Sequence, residues 1–169
     1  MILPVLQYPD PRLARKAVPI EEISPRIREL AADMAETMYA RDGVGLAAPQ
    51  VGEALRLVVL DISGPERRED LRVLVNPVLT LSGEELAADE GCLSVPEFSA
   101  KVTRREFAAV RASDLEGRPV VFDASGRLAV CVQHECDHLE GVLFIDRLSR
   151  LKRDMLDRRL KKKAADHAR

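Results

Sequence analysis

The pentapeptide His134-Glu135-Cys136-Asp137-His138 narrows most sharply what this chain can become. It lies in a stretch that reads as a helix from about Gly126 to Glu140, with Asp123 or Ser125 as its cap and Gly141 beyond its end. At about 100° per residue, His134 and His138 share one face roughly 40° apart, with Cys131 and Arg127 between them and Glu135 close by. Leu128, Val132 and Leu139 take the far side. Such a helix must dock an apolar face in a core while aiming two imidazoles at one point. That suits a single metal ion with a carboxylate beside it to handle a proton of water. A His pair at this spacing also occurs in buried helices whose rings only hydrogen-bond, but Glu135 at the matching offset favours the metal.

A catalytic site of the zinc type needs three protein ligands and one position for water. Two common sources of the third ligand fail here. Gly141 fits the longer H-E-x-x-H-x-x-G-x-x-H pattern, yet Phe144 stands where its last histidine belongs, and Glu140 is the last glutamate of the chain. Upstream, Glu90-Gly91-Cys92-Leu93-Ser94-Val95-Pro96 sets a cysteine after a glycine that lets backbone approach closely. A lone cysteine is more often a small buried hydrophobe, but beside the histidine pair Cys92 is the natural third ligand. Cys92, Cys131 and Cys136 are an odd number, which argues against a disulfide framework.

The surroundings read as one domain. Ser24 caps a helix reaching to Asp42, with Pro25 at its first position and Ile27, Leu30, Met34 and Met38 at helical spacing. Strands are predicted at Leu55–Ile62, Leu71–Leu79, Lys101–Arg111 and Pro119–Phe122, and a last helix from about Ser149 to Lys163. Strands between helices without regular βαβ alternation favour an α+β fold. The near-neutral net charge of -2 argues against dominant nucleic-acid binding, yet residues 147–169 hold ten Lys or Arg against three Asp. The N-terminus lacks signal-peptide features and no apolar run approaches membrane-spanning length, so a cytoplasmic protein without membrane contact is expected.

Three segments, Gly43–Gln50 (GVGLAAPQ), Glu90–Pro96 (EGCLSVP) and Gln133–Gly141 (QHECDHLEG), occur together in this order. Alone the first is a weak G-x-G fragment. As a set they resemble the three motifs of the peptide deformylase family, and LQYPDPRL near the start and GVLFIDRL after the metal helix extend the likeness over nearly the whole chain. The basic C-terminal helix resembles the branch common in Gram-negative bacteria.

The resemblance implies an α+β fold with the H-E-x-x-H helix surrounded by mostly antiparallel sheets and followed by a C-terminal helix. Residues 1–146 would form the catalytic domain, with 147–169 a basic helix packed on it or extending from it. It further implies one divalent metal on Cys92, His134 and His138, Fe2+ in the cell, with Zn2+, Ni2+ or Co2+ equally suited to such ligands in purified protein. The substrate would be the formyl-methionine end of a nascent peptide and formate a product. Glu135 would move protons between water and the leaving amine, while the Gln50 amide and Leu93 N–H stabilise charge on the formyl oxygen. Gly45 and Gly91 would meet the substrate backbone, and Val44, Val130 and Cys131 would wall the methionine pocket. Arg127, where relatives often carry an apolar residue, and Phe98-Ser99, where many have Arg or Tyr nearby, depart from the pattern at the pocket rim.

Two other classes use part of this pattern. A general metallopeptidase would lack its downstream ligand here, and a structural metal module would have no use for Glu135. The basic tail has two readings, a solvated surface helix or a contact to ribosomal RNA.

Overall fold

Ser24 and Pro25 start the first helix where the sequence places it. The Ser24 side chain accepts from Ile27 N–H, and α1 then runs Pro25–Ala40, burying Ile27, Ala31, Met34, Ala35 and Met38 along one stripe. The structure, a computed structural model, describes residues 1–167.

Five strands form one antiparallel sheet in chain order, β1 (Gly45–Ala47), β2 (Leu57–Leu60), β3 (Arg72–Cys92), β4 (Val95–Ser113) and β5 (Pro119–Ser125). Two of them run much further than the apolar runs suggest. β3 passes through Ser82-Gly83, expected as punctuation, and pairs with β4 as far as Cys92↔Val95. The pairing slips at Ser82/Glu85, so the glycine marks an irregularity inside a long ladder rather than its end. The hairpin therefore closes at the EGCLSVP segment, with Leu93 and Ser94 as its turn.

The GVGLAAPQ segment is also ordered. It supplies β1, followed by a 3-10 turn at Ala48–Val51. One side of β1 pairs with β2, and β1 is the outer strand of the sheet.

Helix α2 spans Gly126–Leu139 and carries the histidines. Ser125 occupies the cap position but its side chain makes no capping bond, and Asp123 lies inside β5. The helix is buried on most of its circumference, as a central helix must be, with Val132 and Leu139 against Val58, Leu60, Leu74 and Val110 of the sheet. A second cluster packs α1 on β1 and β2 through Met34, Met38, Leu46 and Leu57. A third joins Leu13, Val95, Val102, Phe144 and Ile145 to Leu156 of the last helix, α3 (Arg150–His167).

The sequence offers Leu148, Leu151, Met155 and Leu160 as the apolar edge of α3, and the structure corrects this in part. Leu148 and Leu160 pack on the third cluster, but Leu151 and Met155 are exposed and Leu156 is the anchor. Polar ties set this phase: Arg153 bonds Asp146 and Tyr8, Asp157 accepts from the Tyr8 hydroxyl at 2.9 Å, and Lys163 reaches Glu97 at 2.6 Å. Ala168 and Arg169, part of the predicted basic tail, lie outside the described residues.

Gly141 ends α2 in the left-handed region at φ 74°, and a Cβ there would strike the backbone of Ala14 and Arg15. Left-handed strain alone costs an L-residue about 1–2 kcal/mol. Gly141→Ala should therefore lose more than that in urea denaturation, seen as a lower midpoint at unchanged slope. A midpoint equal to the parent's would show that the 14–15 segment yields freely.

Candidate active site

Helix geometry puts His134 and His138 on the buried face of α2, 8% and 1% exposed, with their rings 5.0 Å apart. The hairpin end of β3 delivers Cys92 to the same point. One ligand atom from each of Cys92, His134 and His138 falls within a group no more than 4.8 Å across. Cys92 Sγ lies 3.4 Å from His138 Nε2. A tetrahedral ion with a metal–sulfur bond of about 2.3 Å and metal–nitrogen bonds of about 2.0 Å would separate those atoms by about 3.5 Å, so the donor set fits a metal of that size.

Glu90 orients the site, a role sequence reasoning missed although the residue stands in a quoted motif. Its Oε1 lies 2.8 Å from His134 Nδ1, which leaves Nε2 of that ring as the atom facing Cys92 and His138. The same carboxylate takes a two-pronged contact from Arg104, Nε at 2.7 Å and Nη2 at 2.8 Å, and Arg104 also reaches Asp137 at 2.7 Å. Arg147 closes the network on Asp137. Burial alone would raise the Glu90 carboxyl, but Arg104 and His134 outweigh it and hold it down to about 2. Glu90 is thus an anion at any working pH. Burial depresses His138 well below the ordinary histidine range, which keeps it neutral and ready as a donor.

Glu135 lies beside the ligands, its Oε1 4.0 Å from His134 Nε2, and its Oε2 is buried without a hydrogen-bond partner. Burial pushes its carboxyl up to about 7. Gly45 explains how β1 comes so close, because a Cβ at position 45 would sit 2.6 Å from Glu135 Oε1.

Gln50 is 1% exposed and held at both ends of its amide. Its Oε1 accepts from Ala47 N–H at 2.9 Å, while Nε2 donates to Ser94 Oγ at 3.1 Å and lies 3.5 Å from Cys92 Sγ. Ser94, like Glu90, escaped sequence reasoning; a buried serine in a turn carries no signal of its partner. The Leu93 N–H has no backbone acceptor among the turn and loop hydrogen bonds.

Val44 C=O accepts from Asp61 N–H, so residue 44 faces β2 and, by antiparallel alternation, the N–H and C=O of Gly45 point away from it. They border a groove of about 750 Å³ that Val44, Gly91, Leu93, Val130 and Cys131 also line, with Gln50, Cys92, His134 and Glu135 at its head. His138 lies beneath. Arg127, Phe98 and Ser99 sit on the same wall system, while Cys136 points to the core side. Of the residues singled out from sequence for this site, all but the fully buried His138 line this one groove.

The comparisons with known proteins agree with this geometry. The family model described as polypeptide deformylase matches residues 2–154. The chain is 50% identical to a peptide deformylase of Azotobacter vinelandii, over 98% of each chain, and 48% identical to one of Acinetobacter baumannii, covering 95% of this chain and 91% of the other. The crystal structure of a peptide deformylase from Legionella pneumophila superposes with a TM-score of 0.92 at 44% identity, over 100% of this chain and 99% of that one. With likeness in sequence and in backbone running essentially from end to end, the chain belongs to the polypeptide deformylase family.

Proposed function

We propose that Cys92, His134 and His138 hold one divalent ion and that Glu135, Gln50 and Leu93 act around it in the family's reaction. The enzyme is a metal-dependent hydrolase that removes the formyl group from the N-terminal methionine of nascent polypeptides. The observation that carries the residue assignment is the meeting of three soft and borderline donors with an unpartnered buried carboxylate at the head of an open strand edge.

When bound, the ion supplies a Lewis acid that polarises the formyl carbonyl and lowers the pKa of water. Glu135 Oε takes the proton released as water adds to the formyl carbon. It then delivers that proton to the methionine nitrogen as the C–N bond breaks and formate leaves. Its buried, poorly solvated carboxylate is a stronger base than a surface one, which suits the first step. Gln50 Nε2–H and Leu93 N–H donate to the formyl oxygen as charge gathers there. Because Ala47 fixes the far end of the Gln50 amide, little reorganisation is needed. Gly45 and Gly91 pair with the substrate backbone, and Val44, Val130 and Cys131 receive the methionine side chain.

Ferrous iron is the proposed ion in the cell, with zinc, nickel or cobalt acceptable to the same donors after purification. The proposed place of action is the cytoplasm, where nascent chains emerge. The outward side of α3, with Arg150, Lys152, Arg158, Lys161 and Lys162 exposed and in no ion pair among the described residues, is proposed as a ribosome contact through RNA phosphates.

The direct test is formate release from formyl-Met-Ala-Ser against acetyl-Met-Ala-Ser by anaerobically iron-loaded enzyme. Formate should appear only from the first, and Glu135→Gln should keep the metal while losing about 10²–10⁴-fold in kcat. Near-normal turnover of that variant would remove Glu135 from the proton path.

Glu90→Gln should weaken metal retention by about 10–100-fold in a chelator competition, because His134 loses its anionic partner. Unchanged retention would mean that the ring is positioned by packing alone. Replacing Arg158, Lys161 and Lys162 by Gln should leave tripeptide turnover intact and reduce co-sedimentation with ribosomes at low salt; equal sedimentation would dismiss that contact.

A further inference from the structure

The groove at the metal site shares one of its walls with another hollow. A second depression of about 740 Å³ lies between α3 and the segments at Tyr8-Pro9 and Val95–Phe98. Gln7, Val95, Pro96, Glu97 and Phe98 border both hollows, so the start of β4 is a shared wall with the head of the active-site groove on one side and α3 on the other.

The charge of this outer cleft differs from that of the body. Arg159, Lys163 and His167 line it from α3, and Arg159 has no carboxylate partner among the described residues. The one acidic side chain in its lining is Glu97, 78% exposed, which pairs with Lys163 at 2.6 Å directly on the shared wall. Between these charges the lining is apolar, with Pro9, Phe98 and Leu160. An apolar floor with cations on one bank suits an extended peptide carrying a carboxylate. From Leu156 to His167 the helix rises about 16 Å, the length of about five extended residues.

We propose that this cleft is the outer end of the substrate path, where Arg159 and Lys163 bind an acidic side chain several residues beyond the formyl-methionine. The inference rests on the deformylase reading above. A substrate carboxylate takes the place of Glu97 at Lys163, so Glu97 acts as an internal stand-in when no long chain is bound. A tripeptide never reaches the cleft and is indifferent to it.

The test uses formyl-Met peptides of nine residues in an alanine-serine background, with an Asp-Asp or Lys-Lys pair moved from the third to the eighth position, at about 0.15 M salt. Two exposed ion pairs predict an acidic-over-basic ratio in kcat/KM of about three- to ten-fold, confined to a window of neighbouring positions and expressed in KM. Arg159→Glu with Lys163→Glu should invert the ratio in that window. Glu97→Gln, which frees Lys163, should raise it. The Arg159→Glu with Lys163→Glu variant, whose two positions lie outside the active-site groove, should turn over formyl-Met-Ala-Ser within about two-fold of the parent, so loss of that turnover would indict the catalytic reading or the fold, not this proposal. A ratio that is the same at every position, or one that survives the double charge reversal, overturns the proposal, because either shows that the outer cleft does not touch the substrate.

Discussion

Glu90 and Arg104, 6% and 4% exposed, form the contact on which the rest of the site depends. Glu90 is two residues from Cys92 on β3, Arg104 lies on β4, and their contacts reach α2 at His134 and Asp137. A metal site assembled from a hairpin and a helix needs those two elements in fixed register, and apolar packing alone is tolerant of small slides. Charged hydrogen bonds in a dry interior are not, since removing one partner of a buried pair costs about 3–5 kcal/mol. The network therefore sets the position of the sulfur relative to the imidazoles.

The same dry interior defines the chemistry. Arg104 and His134 hold the buried Glu90 ionised, whereas burial leaves Glu135, which has no such guanidinium bonded to it, with a raised pKa. In the proposed reaction two carboxylates on neighbouring segments would divide the work, one fixed as an anion that orients, the other free to gain and lose a proton. Gly45 makes the second role possible from the opposite side. Without a side chain it brings the open edge of β1 against Glu135, so that in the proposed reaction a peptide paired with that edge would present its first residue beside this carboxylate.

Much of this was legible in the chain. The helical phase of His134 and His138, the glycine after Leu139, and Cys92 as the remaining soft donor follow from spacing and residue type, and each falls where that reading puts it. The joining of the three motifs into one family pattern supplied Gln50 and Gly45, which no local rule would have chosen. Arg104 and Asp137 were out of reach, because an arginine in a polar strand looks like a surface residue until its partners are known. The full length of β3 and β4 was hidden for a related reason. The missed stretches, Thr80–Cys92 of β3 and Val95–Ala100 of β4, are mostly exposed and lack the alternation by which a half-buried strand is recognised, so long-range pairing alone defines them.

The last helix shows where sequence periodicity loses its hold. α3 buries fully only Leu156, far too little apolar surface to fix an amphipathic helix of 18 residues by itself. With so weak a stripe, the choice between a face at Leu151 and Met155 and a face at Leu156 and Leu160 falls to the polar contacts with Tyr8, Glu97 and Asp146. Those contacts belong to the N-terminal segment, the start of β4 and the turn after α2, and the first two of these also bound the groove. A helix tied down in this way is oriented by the active-site wall rather than by its own hydrophobicity. Its inner cations then line the outer cleft and its outer cations face solvent.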